Sequence, residues 1–214
     1  MKRHLRIPLF LLISLLNSLA SYASNEMSFH QLGVKTGMSD NYIQAIERDK
    51  YGFMWFATRD GLNRYDGYHF KTYTTLRQGA YNNSVEWVAE DAAGNIWIKT
   101  PVNYCFYDRE MDELDNRTEL LLHKIGIFES PRQLFIDDDK NLWCVADNTL
   151  YYYIFSDETL YKQSLPGSVN IADMACRNKR CYILMTDGNV INIDWMHKSL
   201  TCLLYTSDAA DDLT

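Results

Sequence analysis

The sequence predicts an all-β protein, a β-propeller of about four four-stranded antiparallel blades that form an incomplete arc. Three observations predict it. Tryptophan recurs as Trp55, Trp97 and Trp143, with Tyr182 in the equivalent place of a more worn fourth copy. An aspartate stands six residues before the aromatic as Asp49, Asp91 and Asp137, and Cys176 takes that place in the last copy. Short runs of aromatic and β-branched residues alternate with Gly, Asp and Asn, as strands alternate with turns. A spacing of roughly 40–45 residues with four strands per unit is the period of propeller blades.

The first blade, 37–80, is the clearest. Its strands are predicted at Tyr42–Arg48, Phe53–Thr58, Leu62–Tyr65 and Tyr68–Tyr73. Between them Gly52, Gly61 and Gly67 stand where a tight turn needs positive φ. The remaining blades are expected at 81–127, 128–166 and 167–201. The glycine three residues before the aromatic recurs as Gly94, then becomes Lys140 and Lys179. Asp60-Gly61 is matched by Asp187-Gly188, and by Asp147-Asn148 with one residue deleted. Third strands line up at Tyr104–Tyr107, Leu150–Tyr153 and Val190–Ile193. One meander cannot bury both faces alone, so the tryptophans are expected to pack between blades rather than to stack on a sugar. Trp87 and Trp195 fall outside this register.

The chain ends read differently. Lys2, Arg3, His4 and Arg6 precede an apolar run, Ile7–Leu19, that is short for a membrane span, and Ser21-Tyr22-Ala23 supplies small residues for cleavage. Residues 1–23 are therefore expected to be a signal peptide. Residues 24–36 form a linker in which Phe29–Leu32 is a candidate closing strand. Residues 202–214 abandon strand alternation, read as the translation of a sequencing-library adaptor, and are expected to pair with nothing; on this reading the natural protein continues beyond Thr201. The fourth blade should then present an open apolar face bearing some of Cys181, Ile183, Val190 and Ile193.

Composition agrees with an exported β-rich chain. Aromatic residues make up 14%, with 15 tyrosines, and the net charge of −7 offers no basic footprint for nucleic acid or an anionic membrane.

The stretch Ile46–Gly67, I-x-x-D-x-x-G-F-M-W-F-A-T-R-D-G-L-N-R-Y-D-G, resembles the two-component regulator propeller repeat, and Gly37-Met38-Ser39-Asp40-Asn41 is similar to the segment that opens such blades. The resemblance extends as a repeat series over roughly Phe29 to Leu200. It implies the periplasmic sensor region of a Bacteroidota-type hybrid two-component histidine kinase, part of an inner-membrane protein. By the same resemblance the partners are an oligosaccharide from polysaccharide breakdown, the remaining blades and kinase module, and a second copy in a homodimer. The competing class is a secreted propeller enzyme or adhesin acting on carbohydrate, such as a polysaccharide lyase.

No nucleophile motif, phosphate loop or clustered metal ligands occur, so no catalytic residue, metal or cofactor is expected. Asp137–Asn141 has the alternation of a calcium loop but lacks its glycine and distal glutamate, and reads as a hairpin turn. Cys176 and Cys181 flank a predicted hairpin, either as a cross-strand disulfide or as small buried hydrophobes. Candidate ligand-binding residues are those of the loops that meet near the axis at one end: Asn41, Tyr42, Arg59, Asp60, Asn82, Asn83, Asn103, Arg132, Asp147 and Asn148.

Overall fold

The computed structural model describes residues 29–75, 83–166, 170–197 and 199–203. The expected signal peptide, Asn82 and residues 204–214 lie outside them. The described residues hold four sheets of four antiparallel strands, each in sequence order. The first sheet comprises β1 (Ile43–Arg48), β2 (Met54–Thr58), β3 (Gly61–Tyr65) and β4 (Phe70–Tyr73). The second comprises β5 (Trp87–Glu90), β6 (Ile96–Lys99), β7 (Tyr104–Asp108) and β8 (Glu113–Asp115). In the third stand β9 (Pro131–Ile136), β10 (Leu142–Ala146), β11 (Thr149–Ile154) and β12 (Thr159–Ser164). The fourth is β13 (Ile171–Arg177), β14 (Arg180–Met185), β15 (Val190–Asp194) and β16 (Ser199–Leu203). First strands of successive sheets approach one another, β1 to β5 and β9 to β13, and so mark the axis. The sheets are propeller blades in an arc that does not close among the described residues.

Period-two alternation decides which face each second strand buries. Trp55 and Ala57, with Leu62 and Tyr73, meet Val88, Ile96, Ile98, Cys105 and Tyr107 of the next blade. Trp97 and Tyr104 meet Leu134, Ile136, Leu142 and Cys144 in the same way. Trp143, Val145 and Tyr152 meet Met174, Cys176, Cys181 and Ile183. Every tryptophan-bearing face is thus covered by the aliphatic face of the blade that follows. Truncating so fully buried an indole costs about 3–5 kcal/mol.

This rule corrects the expected open face. Cys181, Ile183 and Ile193 are buried against blade 3, and Val190 is partly buried. The open face is the opposite one, carrying Tyr182 and Leu184 at 43% and 41% exposure. Tyr182 does occupy the tryptophan position, pairing Ala175 and Asn192 as Trp143 pairs Phe135 and Tyr152. At the other end of the arc, blade 1 leaves Ile43 and Ile46 exposed on its uncovered face.

Two boundaries also move. β16 runs through Cys202 and Leu203, which pair Ile191 and Val190, so the expectation of no strand pairing from Cys202 onward fails at these two residues and counts against reading them as an adaptor. Alternating Leu200-Thr-Cys-Leu203 satisfies a fourth strand, whatever follows it. Phe29–Leu32 carries no strand, and Phe29 is exposed. Between blades 2 and 3 lies a helical turn the repeat did not announce, α1 (Glu119–Leu122), continued by a 3-10 turn at His123–Ile125. Leu122 and Ile127 drop from it into the layer between those blades.

Candidate functional site

The repeated Asp, Gly and Trp form one physical unit. Trp55 Nε1 donates to Asp49 Oδ2 at 3.0 Å, and Trp97 and Trp143 donate to Asp91 and Asp137 at 2.8 Å each. The other carboxylate oxygen accepts the backbone N–H four residues on, from Phe53, Asn95 and Asn141. The residue three after the Asp donates its N–H back to the Asp carbonyl at 2.9 Å, with φ of +90° at Gly52 and Gly94 and +63° at Lys140. A carboxylate inside the turn therefore sets both the loop and the indole. Burial raises the carboxyls of Asp91 and Asp137 above their ordinary value, against these hydrogen bonds. Asp137–Asn141 is such a turn.

Blade 4 breaks the unit. Its hairpin is one residue shorter on the aspartate side: Asn178 and Lys179 at φ +50° and +60° join Arg177 directly to Arg180. Cys176 therefore does not replace the aspartate. It pairs Cys181 in the ladder, as Ile136 pairs Leu142. The two Cα atoms are 4.1 Å apart and the sulfurs are in bonding contact, both buried. Burial pushes the other core thiols, Cys105 and Cys144, up to about 12, so they stay protonated and inert.

A second recurrent position escaped the sequence reading. Two residues after the third-strand partner of the residue that precedes the aromatic (Tyr107, Tyr153 and Ile193) stand Arg109, Phe155 and Trp195 in blades 2, 3 and 4, and each approaches the preceding blade's clamp. Arg109 reaches Asp49 Oδ2 at 3.3 Å and lies 4.5 Å over the Tyr51 ring. Phe155 shares a cleft with Asp91 and Trp97. Trp195 packs 5.2 Å from Trp143 and 5.6 Å from Tyr152. Trp195 thus acquires a place, and Trp87 packs beside the blade 2–3 layer. No shared residue type marks the position, so no motif signals it.

The predicted mouth residues share one end of the sheets, that of the second-to-third turns. They gather as local pairs, most of them within one blade, with Asn83 and Asp60 joining blades 2 and 1. The Arg59 guanidinium stacks 3.6 Å from the half-exposed Tyr42 ring, and Asn83 Nδ2 donates to Asp60 at 3.0 Å. Arg132 donates to the Asp147 carbonyl at 3.3 Å, and Asn148 Nδ2 to the Leu165 carbonyl at 2.6 Å. Asn41 Oδ1 accepts the Val34 N–H, and Asn103 Oδ1 the Thr100 hydroxyl. Asn83 Oδ1 and Asn148 Oδ1 are buried without a hydrogen-bond partner. Asn103 thus serves its own turn, and most of the others tie their loop to a neighbouring segment. Gly61 is required here, since a Cβ would meet the Tyr73 carbonyl at 2.9 Å.

Larger clefts open at the opposite, hairpin end. One of about 670 Å³ lies between blades 3 and 4, over Tyr152, Ile154 and Phe155 with Asp139, Asp157 and Lys179 at its rim. Another, of about 510 Å³, lies between blades 2 and 3. Near the axis, one of about 410 Å³ is lined by Glu47, Trp87, Glu90 and Lys140. Between blades 1 and 2 Arg109 reaches across to Asp49.

Two further acids are structural. Asp112 accepts from Tyr73 and Tyr107 hydroxyls at 2.6 Å each and pairs with Arg64 and Lys71. Burial alone would raise its carboxyl, but these donors outweigh it and hold it well below the usual range. Asp194 is held down to about 2, by His197 first, with Arg180 adding to it.

Residues 37–60 match the family model described as two component regulator propeller. Over that segment the chain is similar to a two-component regulator propeller repeat. Its first blade also resembles part of "Histidine kinase P4" of Formosa agariphila, 51% identical over 37 residues, which are 17% of this chain and 3% of that protein. The extracellular domain of a putative hybrid two component system from B. thetaiotaomicron superposes with a TM-score of 0.55. It is 22% identical and is matched over 82% of this chain and 26% of its own. A catalytically inactive virginiamycin B lyase from Staphylococcus aureus reaches 0.51 at 12% identity, over 81% of this chain and 59% of its own. These two share the propeller fold with the repeat described here. The matched segment of the family model contains the whole Asp49–Gly52–Trp55 clamp.

Proposed function

We propose that this chain is ligand-sensing propeller from the periplasmic part of a hybrid two-component signal-transduction protein, responding to oligosaccharides released in polysaccharide breakdown. One observation carries the reading. The repeat match falls on the blade-forming clamp of blade 1, and the curated relative that shares this blade is a histidine kinase. A propeller suits such a task because its blades are rigid while its loops vary at one end. Tyr42 stacked with Arg59, flanked by Asp60 and Asn83, supplies an aromatic face, a cation and amides, the set that recognises polyhydroxylated or acidic sugars. Its parent would relay the signal through a kinase module and act as a homodimer.

The test is calorimetric titration of the chain with a panel of neutral and acidic oligosaccharides, alongside R59A and Y42A. Binding that weakens in both variants supports the reading. Depolymerised product in place of reversible binding would favour a secreted propeller lyase. Sequence downstream in the gene decides independently: a membrane span followed by a kinase histidine box supports the sensor.

A further inference from the structure

We infer that Lys140 is an ionic strap that locks the hairpins of blades 1, 2 and 3 together around the axis. In the repeat it looks like erosion, a lysine where blades 1 and 2 have Gly52 and Gly94. Its backbone is held at φ +63°, a conformation that glycine adopts freely and lysine does not. The side chain explains why lysine is kept there. Lys140 Nζ lies 2.5 Å from Glu47 Oε1 on β1 and 3.4 Å from Glu90 Oε2 on β5. The Lys140 carbonyl accepts the Ala92 N–H of the blade 2 hairpin at 2.9 Å. One residue of blade 3 therefore holds both earlier blades, by its charge and by its backbone.

Glu90 is the buried partner that gives the strap its strength. Its side chain is 5% exposed, and it also accepts the Lys50 N–H of the blade 1 hairpin at 3.0 and 3.1 Å. Arg109 stands 3.8 Å away. A carboxylate so buried depends on its cations, because an uncompensated charge there is costly. A second lysine braces the same hairpin from the other side. Lys50 Nζ donates to the Ala93 carbonyl at 2.8 Å, and a Cβ at Gly94 would collide with its side chain. Gly94 thus leaves room for the Lys50 side chain, while at the equivalent position of blade 3 the Lys140 side chain supplies the strap.

The experiment is native-state hydrogen exchange and thermal unfolding of the full chain with K140G, K140R and K140M. K140G restores the repeat's glycine and removes the φ penalty together with the strap. It should speed exchange of the Lys50 and Ala92 amides about tenfold, leave the blade 4 hairpin unchanged, and lower Tm. K140R keeps the cation and should exchange within about twofold of the parent. High salt should shrink the difference between K140G and the parent. A K140G chain whose Lys50 and Ala92 amides stay protected, or whose Tm rises as strain relief alone predicts, overturns the inference. If K140G fails to fold, K140M and K140R decide: protection in the arginine variant alone supports the strap, and equal behaviour overturns it.

Discussion

The hairpins of blades 1 to 3 and the hairpin of blade 4 join the same two strands, yet they are held by different chemistry. In the first three, a buried carboxylate sits inside the turn and binds an indole that the next blade will cover. In the fourth, a two-residue turn closes on its own backbone, with no acid inside and a half-exposed tyrosine in the indole's place. Aspartate and tryptophan are lost together, and the reason is physical. Without the indole the buried carboxylate keeps only its backbone donors, and an indole N–H without its acceptor is left unsatisfied, at a cost of about 1–3 kcal/mol. Aspartate and tryptophan thus support one another within one turn.

The comparison breaks most sharply at the aromatic. W143A should destabilise by about 3–5 kcal/mol, because the side chain is fully buried and stacks 3.9 Å from Tyr152. Y182A at the equivalent place should cost no more than about 1 kcal/mol, since that face is open. Paired chemical denaturation curves measure both, and equal losses would show that the two positions are not distinguished by their cover.

Next comes the acid. D137A removes an acceptor from Trp143 Nε1 and from the Asp139 and Asn141 N–H groups, and should cost about 2–3 kcal/mol. R177A, at the corresponding step of the short hairpin, loses only an exposed pair with Asp138 and should stay within about 0.5 kcal/mol.

Acid titration sharpens the contrast between strained and favoured carboxylates. Asp112 is depressed below its ordinary 3.8, so the stability it contributes is present above that pH and is lost as pH falls through the folded-state value. D112N should therefore be less stable than the parent at neutral pH, with the gap closing in increasingly acidic buffer. Asp91 is shifted the other way, upward. Its ionised form is disfavoured by folding, so acidification stabilises through this group, and the deficit of D91N should widen as pH falls. Thermal melts across the acidic range read both signs.

A small effect of the opposite sign is expected at Lys179. Its side chain braces nothing of the kind Lys140 does, so K179G should relieve positive φ and stabilise by about 0.5–1 kcal/mol. Opposite signs for K179G and K140G would separate a lysine tolerated at a glycine position from one retained for its charge.

Much of this protein was legible from its residues alone. Strand number, order, blade period and the second-strand aromatics follow from local alternation and turn chemistry, which act over a few residues and so are written in short motifs. The six-residue spacing from aspartate to tryptophan is visible for the same reason. Only the tertiary structure decided the rest, because it depends on which groups meet across blades. The covered face of each sheet and the reversal of the open face onto Tyr182 and Leu184 are of this kind. So are the cover given by Arg109, Phe155 and Trp195, three side chains with no common chemistry, and the strap at Lys140. Alignment by equal spacing put Cys176 in the aspartate's place, since a one-residue loop deletion is invisible where neither flank is matched. A charge 93 residues from its partner, as Lys140 is from Glu47, leaves no local trace: the repeat predicts what each blade needs to form, and packing alone determines what each blade gives its neighbours.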